Sequence, residues 1–261
     1  MRLEELVNIV NETYFEDTSS YKVIMSKAKE LLEIMTPSCN IKTIDHKKVL
    51  LYRKALKARG NEKATINAKL SYLSKLLSYA YNNRLIDYKP IMPYLKLPAP
   101  KNKVYKKEQF ILMLLWTRKN REKELQKILL IGYYTGLRIN NILSISGANI
   151  EEDLLFIYDK KTNSNFYLPL HHKIKYILEG FEGFESNYNH IYYVFGKMKS
   201  ELGIDDTATI HSLRHTFCTT LNKKGVPLNV IQKLANHKKI QNTMRYTHVD
   251  DDQCKSAISM L

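Results

Sequence analysis

Residues 211–216 read His-Ser-Leu-Arg-His-Thr and residues 242–248 read Asn-Thr-Met-Arg-Tyr-Thr-His, with His237 nine residues before Tyr246. A third short stretch, residues 135–138, reads Thr-Gly-Leu-Arg. Arginine presents a planar fork of donors that fits the non-bridging oxygens of a phosphate. Histidine exchanges a proton near neutral pH, and tyrosine can act as a covalent nucleophile once its proton is removed. Together, these residue types are suited to the attack of a phenol on a phosphodiester.

In order and spacing, these stretches resemble those of the tyrosine recombinases, the phage-integrase family of site-specific DNA recombinases, over about residues 64–248. The resemblance implies an enzyme that cleaves and rejoins DNA strands through a 3′-phosphotyrosine intermediate, without a metal or another cofactor. The catalytic residues that it implies are Arg138, Lys161, His211, Arg214, His237 and Tyr246.

The implied roles divide between charge and proton transfer. Arg138, Arg214 and His237 would stabilise the charge that builds on the phosphorus. Tyr246 would attack, and Lys161 would protonate the leaving 5′ oxygen.

The two histidines of the 211–216 stretch are expected to differ in role. His211 and Arg214 are three residues apart, which places them on one face of a helix. His211 is therefore the better candidate for accepting the proton of Tyr246. His215 follows Arg214 directly and is assigned a structural or supporting role.

The sequence departs from the family pattern at two positions and leaves a third open. The family often has an acidic residue three positions after the first arginine, where this chain has Asn141. Asn236 stands where the family usually has glycine, and asparagine also tolerates left-handed backbone angles. Lys161 is matched by aligning residues 168–170, and the adjacent Lys160 remains an alternative to it.

Composition points to a folded, basic protein that binds a polyanion. The chain has 261 residues, 44% of them hydrophobic, which argues against disorder. Its 41 Lys and Arg against 26 Asp and Glu give a net charge of +15, and nucleic acid is the commonest partner of such a chain. The longest apolar run, residues 110–116, is too short to span a bilayer.

Cysteine usage indicates the compartment. Cys39, Cys218 and Cys254 are widely spaced and odd in number, which favours a reducing environment over a disulfide framework or a zinc site. We therefore expect a cytoplasmic, nucleoid-associated protein with no membrane partner.

Apolar residues at three- and four-residue spacing predict helices over most of the chain, and residues 154–158 and 166–170 read as two strands joined by a polar turn. The expected fold is mainly α with a small β-hairpin or sheet, arranged as a two-lobed DNA clamp. The expected domains are a helical core-DNA-binding domain at residues 1–90, a basic Pro-rich linker at 91–107, and a catalytic domain with a C-terminal assembly segment at 108–261.

Basic residues of the first domain and the linker are candidate DNA contacts, with an ordinary solvated surface as the alternative. They are Lys69, Lys75, Arg84, Lys96, Lys101, Lys103, Lys106 and Lys107. The family resemblance implies double-stranded recombination sites, a homo-tetramer in the synaptic complex, and accessory DNA-bending proteins as partners. Residues 247–261 would support assembly by docking on a neighbour, and docking on their own catalytic domain is the alternative.

Two other functions stay open at this point. A helix-turn-helix could be formed by a helix at residues 227–235, a turn, and a second helix from residue 242. The chain would then be a regulator that binds DNA without cleaving it. Such a regulator would have no reason to hold Arg138, Arg214 and Tyr246 together. A type IB-like DNA topoisomerase shares the chemistry, but the short chain and its helical N-terminal part favour a recombinase.

Overall fold

The computed structural model describes residues 1–18, 20–98, 103–159, 163–205, 207–244 and 246. The chain divides into two compact units, Met1–Pro100 and Lys101–Leu261. Helices dominate both units, and the second also holds a small antiparallel sheet, which confirms the expected fold class. None of the helices in the described ranges combines the length and the apolar content needed to cross a bilayer.

The first unit is a helical bundle packed around its longest helix. Its helices are α1 (Leu3–Tyr14), α2 (Tyr21–Met35), α3 (His46–Ala58) and α4 (Lys63–Asn82). Leu70, Leu73 and Leu77 of α4 are fully buried, as their spacing along one face predicts. Asp45 caps the N-terminus of α3, because its Oδ1 accepts a hydrogen bond from the Lys48 N–H at 2.8 Å.

Both ends of the predicted linker make specific contacts. Asn67 of α4 donates to the carbonyl of Leu95 and accepts from its N–H, each at 2.8 Å. At the other end, Tyr105 is buried and its N–H donates to Thr216 Oγ1 at 2.9 Å. Residues 96–104 lie between these two sets of contacts. The described residues 91–98 and 103–106 form no helix, as the proline content indicated, but proline content does not predict these side-chain contacts.

The second unit begins with three helices and continues through the sheet into a second helical group. The first group is α5 (Lys107–Lys119), α6 (Lys123–Thr135) and α7 (Ile139–Leu143). The second is α8 (His172–Leu178), α9 (Tyr188–Glu201), α10 (His211–Lys223), α11 (Leu228–Leu234) and α12 (Gln241–Met244). The buried side chains of α6, among them Ile128 and Ile131, form the centre of the core, and α6 packs against α10.

The sheet has the order β1 (Ile150–Glu151), β2 (Leu154–Asp159) and β3 (Ser164–Pro169), with both pairings antiparallel. The two strands expected from the sequence are β2 and β3, to which the structure adds β1. Leu155, Ile157 and Asp159 share the buried face of β2, because side chains two residues apart point to the same side of a strand. The carboxylate of Asp159 therefore occupies a core-facing position of the strand.

Candidate active site

Arg138 stands at a sharp turn between two helices. Helix α6 ends at Thr135, and Gly136 continues the chain at φ 64°, a left-handed conformation that glycine adopts without steric cost. A Cβ at this glycine would lie 2.4 Å from Cδ1 of Phe217, so the turn also packs closely on α10. Arg138 then precedes the first residue of α7. The Thr-Gly-Leu-Arg stretch thus fixes the backbone position of Arg138, from which its side chain extends.

Asp159 holds the side chain of Arg138. Nη1 of Arg138 lies 2.6 Å from Oδ2 of Asp159, whose side chain is 1% exposed. Nδ2 of Asn236 donates to the same oxygen at 3.5 Å. Sequence reasoning missed this residue. The available signal was an acidic residue on the inward-facing register of a strand, next to the two lysines of the turn.

Asn141 occupies the position where the family often has an acidic residue. It lies on α7 and is buried, with 5% of its surface exposed. Its Nδ2 has no hydrogen-bond partner among the described residues. The carboxylate that pairs with Arg138 comes from Asp159 at the end of β2 and not from the position of Asn141.

Arg214 of α10 is buried and joins two turns. Its Nη1 donates to the carbonyl of Gly136 at 2.9 Å, and its Nη2 donates to the carbonyl of Ala235. Burial, and after it the charge of Arg138, lowers the pKa of Arg214 to about 10. Both turns therefore depend on this one side chain.

His237 follows a left-handed residue, as the sequence suggested. Asn236 has φ 47°, and the N–H of His237 donates to the carbonyl of Gln232 at 3.0 Å. Nδ1 of His237 lies 2.9 Å from Oγ1 of Thr243, which fixes the plane of the ring. The imidazole is 9% exposed. The substitution of asparagine for the usual glycine is thus accommodated by the backbone.

Tyr246 is held inside the second unit by backbone and side-chain contacts. Its carbonyl accepts from Nδ2 of Asn222 at 3.0 Å, and its side chain packs with Cys218 and Ile231. The ring is nearly parallel to that of His237, with 6.3 Å between centroids. Burial raises the pKa of the Cys218 thiol to about 11, so this neighbour stays protonated at neutral pH.

The hydroxyl of Tyr246 contacts His215, the residue that we had assigned a supporting role. Nδ1 of His215 lies 2.7 Å from the phenolic oxygen. His211, the predicted proton acceptor, stands one turn earlier on α10 and meets His215 edge to face, with 5.0 Å between ring centroids. The two histidines therefore form a pair, of which His215 is hydrogen-bonded to the phenol.

The structure thus brings together Arg138, His211, Arg214, His237 and Tyr246 in the second unit. Lys161 and its alternative Lys160 lie outside the described residues, as do Lys101 and the predicted assembly segment, residues 247–261. Within the described part of the chain, no group of three His, Cys, Asp or Glu side chains could hold a metal ion.

The candidate DNA-contact residues differ in their surroundings. Lys69 is only 12% exposed and forms an ion pair with Glu30, which makes it a poor candidate. Lys75 lies over the ring of Phe15, 4.0 Å from its centroid, and Lys103 pairs with Asp205. The remaining described candidates are exposed, namely Arg84, Lys96, Lys106 and Lys107.

The sequence is similar to those of a known protein family. The model of the phage integrase family matches residues 105–253. Tyrosine recombinase XerC of Staphylococcus haemolyticus is 25% identical over 244 residues, which cover 83% of this chain and 81% of that protein.

Solved structures share the fold at low sequence identity. The Tn1549 transposon integrase in complex with a circular intermediate DNA superposes with a TM-score of 0.84 at 17% identity, with complete coverage of both chains. A lambda integrase tetramer bound to a Holliday junction gives a TM-score of 0.79 at 15% identity, covering 95% of this chain and 78% of the other.

Proposed function

Since the chain belongs to the phage integrase family, we propose that it is a site-specific DNA recombinase that cleaves and rejoins strands through a 3′-phosphotyrosine bond to Tyr246. One observation carries the assignment of the nucleophile. The Tyr246 hydroxyl is hydrogen-bonded to an imidazole at 2.7 Å, in the same unit as Arg138 and Arg214. A phenol with a proton acceptor and two cations nearby is what this attack requires.

In the proposed cleavage step, the Tyr246 oxygen bonds to phosphorus and the bond from phosphorus to the 5′ oxygen breaks. The phenolic proton passes to Nδ1 of His215, the nitrogen already in hydrogen-bonding contact. His211, which faces His215, is the alternative acceptor. The leaving 5′ oxygen takes a proton from Lys161, with Lys160 as the alternative. Rejoining reverses each of these transfers.

The two arginines and His237 are proposed to bind the non-bridging oxygens. Arg214 uses two donors on backbone carbonyls and, of the five that a guanidinium carries, has three others for a phosphate. Arg138 is held by a carboxylate on one side and is 20% exposed. Nδ1 of His237 lies 2.9 Å from Oγ1 of Thr243, and we propose that the imidazole contributes to binding the phosphate.

The proposed partners are double-stranded recombination sites and three further copies of the chain in a synaptic tetramer, joined by accessory DNA-bending proteins. The tetramer is suggested by the lambda integrase assembly, and residues 247–261 are the proposed contact between copies. We propose that residues 1–90 bind the core site, that 91–107 link the domains, and that 108–261 carry the chemistry. Because its proposed substrate is DNA, we propose that the protein acts in the cytoplasm, at the nucleoid.

The regulator alternative is not favoured. In the described part of the chain, α12 spans only Gln241–Met244, about one turn, whereas a recognition helix must reach along a DNA groove. The turn between α11 and α12 instead positions His237.

The test is a covalent trapping experiment on a nicked recombination site. Tyr246→Phe should bind the site as the wild type does and form no denaturant-resistant protein–DNA adduct, because only the attacking oxygen is lost. Tyr105→Phe is the matched control. It removes another phenol of the same unit, one that donates to the Thr209 carbonyl at 2.9 Å, and should still form the adduct.

An adduct formed by Tyr246→Phe would show that another tyrosine is the nucleophile. Recombination between two sites, measured beside the relaxation of supercoiled DNA that lacks a site, separates a recombinase from a topoisomerase. Relaxation alone would favour the topoisomerase.

A further inference from the structure

Asp159 connects three segments that carry the proposed chemistry. Its Oδ2 contacts Arg138 Nη1 at 2.6 Å and Asn236 Nδ2 at 3.5 Å, and Asn236 immediately precedes His237. Asp159 is also the last residue of β2, and Lys160 and Lys161 follow it in the sequence. One carboxylate thus contacts the first arginine and the histidine turn, and directly precedes the two lysines in the sequence.

The position of Asp159 is set by the sheet. Its Cα partner across the ladder is Ser164, the first residue of β3, so β2 remains paired up to this residue. The strand period turns its side chain to the same face as Leu155 and Ile157, where it is 1% exposed. A buried carboxylate costs free energy unless it is paired and hydrogen-bonded, and Arg138 provides that pairing.

The charge at Asp159 matters because two cations meet at this site. Arg138 lowers the pKa of Arg214, and Asp159 opposes that effect. Without a negative group, two guanidinium groups near one phosphate site would repel each other before substrate binds. Asn141, three residues after Arg138, is a neutral amide and cannot supply the charge.

We infer that Asp159 is the positioning residue of this active site, which holds the Arg138 guanidinium toward the phosphate; its longer contact with Asn236 places the same carboxylate beside the His237 turn. This inference rests on the proposed function. Asp159 does not touch the substrate; it acts through Arg138.

The first measurement is single-turnover adduct formation on the nicked site. Asp159→Asn keeps the size of the side chain and removes its charge. We expect cleavage to slow by roughly 100-fold, since a small misplacement of a catalytic group has effects of that order, while the Kd for DNA stays unchanged. Asp205→Asn, which removes an exposed carboxylate paired with Lys103 in the same unit, should cleave at the wild-type rate.

The second measurement separates positioning from general stability. In an Arg138→Ala background, adding Asp159→Asn should cause no further loss of cleavage, because the residue through which Asp159 acts is gone. If the double variant instead loses cleavage by the product of the two single-variant losses, the inference is overturned. A methylphosphonate at the scissile position, which lacks one phosphate charge, should shrink the Asp159→Asn defect, and an undiminished defect would count against it.

If Asp159→Asn fails to fold, Asp159→Glu retains the charge and shifts it by one methylene. Slower cleavage with unchanged DNA binding is then expected, and wild-type cleavage would overturn the positioning role. A wild-type protein that forms no adduct would instead reject the proposed function. Normal wild-type cleavage together with a fully active, folded Asp159→Asn rejects this inference alone.

Discussion

Arg138 and Arg214 carry the same guanidinium group in different surroundings. Arg138 is partly exposed and paired with a carboxylate, whereas Arg214 is buried and donates to two backbone carbonyls. Arg214 therefore has a structural task besides any contact with phosphate, because the carbonyls belong to the two turns that present Arg138 and His237.

Arg214→Lys should lose both cleavage and stability. An ammonium group is a compact donor and cannot reach the carbonyls of Gly136 and Ala235 as the planar fork does. Leaving one buried carbonyl unsatisfied costs about 1–3 kcal/mol, which chemical unfolding would measure. Arg118→Lys, at an exposed position of α5, is the control. Unchanged stability of Arg214→Lys would show that the carbonyl contacts are dispensable.

His215→Gln should slow cleavage at pH 7 by roughly 10²–10⁴, the usual contribution of a general base. An unassisted phenol ionises near pH 10, so the rate of this variant should rise about tenfold per pH unit between pH 7 and 9. The wild-type rate should rise less over this range. If His211→Gln shows the steep profile and His215→Gln does not, His211 is the proton acceptor, as the sequence suggested.

At the level of single residues, sequence was informative where spacing along the chain encodes chemistry. The stretches around Arg138, Arg214 and Tyr246 could be recognised because each is local. Asp159 and the contact of His215 could not, because both depend on how β2 and α10 pack against distant segments. A hydrogen bond between residues 31 apart, such as that of His215 with Tyr246, leaves no mark in either local pattern.

The elements of secondary structure followed the sequence closely where they are long. Helices α2, α3 and α4, and strands β2 and β3, were expected from their periodicity. Strand β1, with two residues, and α8, with seven, were not, since neither is long enough to show a period. These short elements exist because they pair with or pack on β2 and α6.

Gly136→Ala should disturb the element boundary that presents Arg138. The left-handed conformation costs a residue with a Cβ about 1–2 kcal/mol. The new Cβ would also clash with the Phe217 ring, which adds about 1–3 kcal/mol. Gly225→Ala is the matched control, with φ 77° and no atom within 4 Å of the added Cβ.

Thermal unfolding of the two glycine variants should therefore show a larger loss for Gly136→Ala, and cleavage should fall only in that variant. Equal losses would mean that the contact with Phe217 relaxes freely.

At the scale of the whole molecule, two units with separate cores share a net charge of +15. DNA binding should weaken steeply with salt, since each phosphate neutralised contributes roughly 0.9 to the slope of log Kd against log salt concentration. Lys107→Gln, at an exposed position, should remove one phosphate contact and so reduce that slope by roughly 0.9. Lys69→Gln should leave it unchanged, because Lys69 is already paired with Glu30.

A slope that is equally reduced by Lys69→Gln would show that its ion pair opens on DNA. A shallow slope in the wild type would argue against extensive backbone contacts.

The docking of Tyr246 within its own unit also has a genetic consequence. Asn222 holds the Tyr246 carbonyl and His215 its hydroxyl, and both belong to the chain that carries Arg138 and Arg214, so each subunit brings its own tyrosine together with both arginines. In a cell with one wild-type allele and one allele for Tyr246→Phe, no neighbour could lend the missing oxygen. Assemblies that mix the two kinds of subunit would stall, and the defective allele would be dominant. If subunits instead donated the nucleophile to one another, two different defective alleles could complement each other.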